Sequence, residues 1–160
     1  PELKKAVDNV HRYFGMSDHD RAKKRGDTLF RHMQYDNALA AYRSALELTA
    51  GNKYLSGFRS DVYYNCGCAE AAQFKTGRAA DDFRRAVKLE DTKEKRLGYL
   101  SAVYLDKGKE SFIEEAQKLG FTEEDMQEIL IDYKMLELPT PPDDPDECLM
   151  TWIKEYKRSG

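Results

Sequence analysis

The side chains in this sequence most able to do chemistry are His11, His19 and His32, the cysteines Cys66, Cys68 and Cys148, and the basic run Lys23, Lys24 and Arg25. A histidine binds a metal or moves a proton when carboxylates or thiolates stand beside it at matched spacing. Here each histidine stands singly among charged residues, so all three read as solvated surface side chains. Cys66 and Cys68 are two positions apart; on a helix that is about 200° around the axis, so the pair faces opposite sides and shares no metal. One is expected to pack inside and the other to face outward. Three cysteines in a 160-residue chain make no disulfide framework, and free thiols in a reducing compartment follow. The sequence has no glycine-rich phosphate loop, nucleophile elbow or paired carboxylate at a strand end, so no catalysis, metal or cofactor is expected. The basic run reads as the wet face of a helix, because no aromatics interleave with it as they do in nucleic-acid binders.

Bulk composition narrows the classes further. Hydrophobic residues make up 41% and charged residues 34%, with a formal net charge of -3, a balance that suits a packed soluble domain and gives no field for nucleic acid or anionic lipid. No apolar run approaches the 18 or so residues of a membrane span, and the N-terminal PELKKAVDNVHRYF has no signal-peptide centre. A cytoplasmic location is expected. The chain begins with Pro1 and ends in KRSG, which reads as a piece of a longer polypeptide.

These residues must be positioned by helices. Between Pro1 and Pro139 the only strong breakers are glycines at expected helix ends. The segment YDNALAAYRSALEL puts Tyr35, Ala38, Leu39, Tyr42, Ala45 and Leu46 on one stripe, with Asp36, Asn37, Arg43 and Glu47 away from it. Similar stripes at 20–33, 60–75, 79–89, 94–106, 110–119 and 122–137, joined by short connections, predict successive antiparallel helix pairs and an all-α fold. Period-two runs of β-branched residues are absent, so no sheet is expected.

The chain also repeats itself. In GDTLFRHMQYDNALAAYRSALEL from Gly26, residues Gly26, Ala38, Tyr42 and Ala45 lie at offsets 0, 12, 16 and 19; in GCAEAAQFKTGRAADDFRRAVKL from Gly67, so do Gly67, Ala79, Phe83 and Ala86. Small residues let two helices approach closely, and the aromatic fills the space toward the next pair. This spacing resembles the tetratricopeptide repeat, a helix–turn–helix of about 34 residues. A third, degenerate copy follows near Glu94, with Ser101 at the glycine position and Tyr104 at the aromatic one. The separation of Gly26 and Gly67 is 41, so seven extra residues fall in the first connection, within GNKYLSG. Glu70 stands where the family usually has an aromatic.

The resemblance implies a right-handed superhelix of antiparallel helix pairs with a C-terminal capping helix, and a concave groove lined by the first helix of each pair. The groove would carry Lys23, Asp27, Phe30 and Arg31; then Tyr64, Asn65, Cys68 and Ala72; then Lys95, Tyr99, Ala102 and Leu105. In chaperone-binding members a two-carboxylate clamp grips a peptide C-terminus. Lys23, Asn65 and Lys95 match three of its five positions, while Asp27 replaces an Asn and Tyr99 an Arg. A lost charge-assisted hydrogen bond costs about 1.5–3 kcal/mol and the Asp27 carboxylate repels another, so binding of an acidic chaperone tail is expected to be weakened by at least about 100-fold.

The expected organisation is an N-terminal helix at 1–18, three repeat-like helix pairs at 19–120, a capping helix at 121–138 opening on Thr122, and a Pro/Asp-rich linker with a short amphipathic helix around Trp152 at 139–160. The expected function is a protein-interaction module that binds a peptide segment of a partner. The alternative is a structural subunit contacting its neighbours through the C-terminal helix or the convex face.

Overall fold

A computed structural model of the chain describes residues 2–126, apart from the side chains at 13 and 14. The expected Trp152 helix, the Pro/Asp-rich linker, Cys148 and all but the start of the 121–138 helix lie outside them. The described residues form α1 (Glu2–Phe14), α2 (Asp18–Arg31), α3 (Tyr35–Leu48), a 3-10 turn (Lys53–Leu55), α4 (Ser56–Ala72), α5 (Thr76–Leu89), α6 (Lys93–Lys107) and α7 (Lys109–Lys118), with no strand among them. The fold is all-α. No helix among the described residues is long and apolar enough to cross a membrane.

Helices α2 to α7 pack chiefly on their sequence neighbours as three consecutive hairpins, α2–α3, α4–α5 and α6–α7. The first two are built alike. A Cβ placed on Gly26 would lie 2.5 Å from the Tyr42 ring, and one on Gly67 would lie 2.6 Å from the Phe83 ring. Only glycine allows this contact, since carbon atoms in ordinary contact sit about 3.5–4 Å apart. Both rings are fully buried and lie on the glycine of their own hairpin, where the sequence placed them toward the next. The corners also match. Met33 and Phe74, seven residues after each glycine, both adopt φ of 60°. Gln34 N–H donates to Leu29 C=O at 2.9 Å and Lys75 N–H donates to Glu70 C=O at 3.0 Å, the six-to-one bond that closes a helix through a left-handed residue.

The seven extra residues of the first connection become the 3-10 turn and an extra turn at the start of α4. Their effect is to carry Arg59 over the end of α3, where its Nη1 donates to Leu46 C=O at 2.6 Å and to Thr49 Oγ1 at 2.8 Å. Leu46 C=O belongs to the last turn of α3, where it otherwise accepts only the Thr49 N–H and hydroxyl, each at 3.3 Å.

Side-chain bonds sort the helices into two layers. Asn65 reaches Asp27, joining α4 to α2, and Lys95 reaches Asp61, joining α6 to α4. On the other side Arg43 reaches Asp82, joining α3 to α5. A continuous core runs from Ala22 and Phe30 through Tyr42, Cys66 and Phe83 to Val103. A smaller cluster of Leu100, Phe112, Ala116 and Met126 closes the third hairpin. Met126 belongs to a helical turn at 123–126 whose cap is formed as the sequence expected: Asp125 N–H donates to Thr122 Oγ1 at 3.1 Å and Thr122 N–H to Asp125 Oδ2 at 3.2 Å. Helix α1 stands apart, with residues 2–12 exposed and Leu3 at 79% relative exposure.

Candidate functional site on the first-helix layer

The residues that the repeat alignment assigns to one surface come from α2, α4 and α6. Lys23 and Asp27 are one turn apart on α2, and their side chains pair at 3.3 Å. Asp27 is a hub. Its Oδ1 accepts the Tyr42 hydroxyl at 2.6 Å and Asn65 Nδ2 at 3.1 Å, while Oδ2 takes Lys23 Nζ. Burial and the neighbouring Asp27 carboxylate hold the Tyr42 phenol well above its ordinary pKa, so it stays a donor. Three of the expected groove residues, Lys23, Asp27 and Asn65, are thus in direct contact, and the two donors among them are already engaged by the carboxylate of the third.

Lys95 is separate and differently used. Its side chain is 6% exposed, and Nζ lies 2.9 Å from both Asp61 Oδ1 and Glu90 Oε1. Burial disfavours the ammonium, but the two carboxylates outweigh it and hold the pKa above the ordinary lysine value. Lys95 was expected as a cation facing the groove; it is instead a nearly buried strut between α4, α6 and the end of α5. Farther along α4 the Tyr64 hydroxyl lies 3.4 Å from Glu94 Oε1 on α6.

Phe30, Arg31, Tyr99 and Cys68 depart from their expected places. Phe30 is 0% exposed, edge-on to Tyr35 with centroids 5.2 Å apart, so it belongs to the core and lines nothing. Arg31 is exposed at the end of α2, where its Nη2 donates to Thr28 Oγ1. Tyr99 turns toward α5 and α7: its hydroxyl donates to Glu115 Oε2 at 2.8 Å, and its ring lines a cleft of about 410 Å³ shared with Arg78, Asp81, Arg84, Val103 and Lys107. Burial and the bond to Glu115 push its pKa up to about 12. Cys68, expected to face outward, is as fully buried as Cys66; in the middle hairpin α4 is covered by α2–α3 on one side and by α5–α6 on the other, so its opposite faces are both interior. His11 and His32 are exposed as expected. His19 is half-buried and packs edge-on to Phe58 at 4.8 Å.

The alignment missed a second cluster at the joint of the first two hairpins. Arg43 of α3 donates to Asp82 Oδ1 and Oδ2 at 3.1 and 2.7 Å and to Glu70 Oε1 at 3.1 Å; Arg85 donates to Asp82 Oδ1 at 2.9 Å. The two acids are almost wholly buried, with side-chain exposures of 3% for Glu70 and 1% for Asp82. Hydrogen bonding to Asp82 is the largest cause that raises the Arg43 pKa above its ordinary value. One signal was present in the sequence: Glu70 and Asp82 are acids in the middle of small and apolar runs, CGCAEAA and AADDF. Such placement needs a cation, and Arg43 was read as lying on the wet side of its helix.

Among the described residues no three His, Cys, Asp or Glu side chains form a group able to hold a metal. No family model matches the chain, and neither a curated protein nor a solved structure matches it.

Proposed function

We propose that the chain is a tetratricopeptide-like protein-interaction module that receives a peptide segment of a partner along the layer formed by α2, α4 and α6. The observation that carries this reading is the placement of the partly exposed Lys23 and Asp27 over the buried Asn65, with the exposed Asp61 over the buried Lys95 next along the same layer. Two hairpins with the same glycine–aromatic contact and the same corner support the repeat reading. The ligand is not the acidic tail of a chaperone bound in the clamp manner. With Asp27 holding Lys23 and Asn65, and with Asp61 and Glu90 holding Lys95, a peptide carboxylate would have to displace carboxylates already in place.

A peptide array probed with the wild type and with Lys23→Glu/Asp61→Lys, both checked for helicity, tests the assignment. Binding of a defined peptide set by the wild type, and its loss in the variant, is the expected outcome. An unchanged binding pattern removes this layer from the function.

Helix α1 favours a second reading, an assembly piece. Leu3, Val7 and Val10 are 79%, 44% and 51% exposed and fall on one stripe of α1. Light scattering with and without residues 1–15 separates the two readings, because self-association lost on truncation assigns the contact to α1.

A further inference from the structure

The Glu70–Asp82 pair carries a consequence independent of any peptide ligand. The two acids differ in how well they are served. Asp82 accepts three bonds from guanidinium groups, two from Arg43 and one from Arg85. Glu70 accepts one, from Arg43 through Oε1, while its buried Oε2 has no donor. Both carboxylates accept from the same Arg43 Nη2, Glu70 through Oε1 at 3.1 Å and Asp82 through Oδ2 at 2.7 Å, so two buried acids stand side by side. A proton on Glu70 resolves both facts. As a carboxylic acid, Glu70 adds no second negative charge beside Asp82, and a protonated Oε2 is a donor rather than an unserved acceptor.

We propose that Glu70 is a neutral carboxylic acid in the folded protein at neutral pH, sharing one proton with the Asp82 carboxylate beneath Arg43, and that its ionisation at alkaline pH loosens the joint between the first two hairpins. The groups facing it support this assignment. From α3 comes Arg43, whose side chain is 43% exposed and therefore partly solvated. From α5 come Asp82, Arg85 and Arg78, with the Arg85 bond directed at Asp82. From α4 comes the buried Cys66 thiol, whose pKa is pushed up by burial, so it adds no compensating charge near neutrality. Among these the buried carboxylate Asp82 is the nearest negative charge, and two like charges out of water do not both stay ionised. Burial and the neighbouring Asp82 carboxyl push Glu70 up to about 8, while Glu70 and then the arginine bonds hold Asp82 below the ordinary range against the burial that opposes them.

The sign follows from linkage. Glu70 has its pKa raised on folding, so its contribution is fully present below the unfolded carboxylate value. It is lost as pH rises through the folded one.

The test is a carboxyl-carbon titration of the full chain with labelled glutamate, in which the Glu70 signal is identified by its disappearance in Glu70→Gln. The expected midpoint is about 8, and in Asp82→Asn it should fall by a unit or more, because the facing charge is gone and both guanidiniums become free for Glu70. A wild-type midpoint in the ordinary range of about 4–5 overturns the proposal. So does a midpoint that Asp82→Asn leaves unmoved. Should either variant fail to fold, the wild type still decides, by whether one of its glutamates titrates near 8. Equilibrium unfolding gives a second readout. From pH 5.5 to 7.5 the wild-type folding constant should fall relative to that of Glu70→Gln by up to about tenfold per pH unit; a constant ratio refutes the idea.

Discussion

Replacing Gly67 by alanine sets two well-known effects against each other, and the structure says which wins. An alanine in a helix interior is favoured over glycine by about 1 kcal/mol. Gly67 lies well inside α4, so the propensity argument alone predicts stabilisation. The added methyl, however, would lie 2.6, 2.7 and 2.8 Å from three carbons of the Phe83 ring. Relief requires the ring to retreat by close to an ångström, given ordinary carbon contacts of about 3.5–4 Å. Phe83 is 0% exposed and tilted against Tyr64 with centroids 5.4 Å apart, so it has no open space to enter. Overpacking of a filled core costs roughly 1–3 kcal/mol. Set against the propensity gain of about 1 kcal/mol, a net destabilisation of up to about 2 kcal/mol is expected, seen as a Tm lower by up to about 4–8 °C for a domain of this size. The assay is urea unfolding followed by circular dichroism, run as a double-mutant cycle with Phe83→Leu. The smaller side chain should relieve the clash, giving a favourable coupling of about 1 kcal/mol or more. If Gly67→Ala stabilises the protein, or the cycle shows no coupling, the glycine–aromatic contact does not organise the hairpin and the repeat argument built on it fails.

Two further outcomes are expected. Arg59→Met keeps the aliphatic stem but removes the donors to Leu46 C=O and Thr49, so it should cost about 1.5–3 kcal/mol in denaturant unfolding; a loss below about 0.5 kcal/mol would show that Thr49 closes the end of α3 without it. Because Cys66 and Cys68 are both fully buried, a Cys148→Ser variant should take up a maleimide reagent only on unfolding, by mass spectrometry. Rapid labelling of one thiol in the native protein would restore the outward-facing cysteine of the sequence reading.

How much could be read in advance depended on whether a signal was local. The stripes at 20–33, 79–89 and 110–119 correspond to helices at Asp18–Arg31, Thr76–Leu89 and Lys109–Lys118, because side-chain period and chain breakers are properties of short segments. The offsets from Gly26 to Tyr42 and from Gly67 to Phe83 were legible for the same reason, but not their use: the rings were expected toward the next pair and lie instead on the glycines of their own hairpins. The site was less so. An alignment places Cα positions, not side-chain partners. It put Lys95 on the expected layer and could not foresee that Asp61 and Glu90 would enclose it, nor that Tyr99 would turn to Glu115. Phe30 was misjudged because an aromatic four residues after Gly26 suits a groove floor and a core equally well until its neighbour Tyr35 is placed. The Arg43–Asp82–Glu70 cluster joins residues 27 and 39 positions apart, and no local pattern announces it.

The matched corners at Met33 and Phe74 make the reversal of direction a property of each unit alone, since every hydrogen bond that closes them stays within a few residues. A stretch such as 26–66 therefore behaves as a cassette. Spliced in again after itself, it would carry its own left-handed corner and reverse the chain once more. The cost would fall at the junction, where the first Arg43 would meet Leu29 and Ala41 of the copy instead of the buried Glu70 and Asp82.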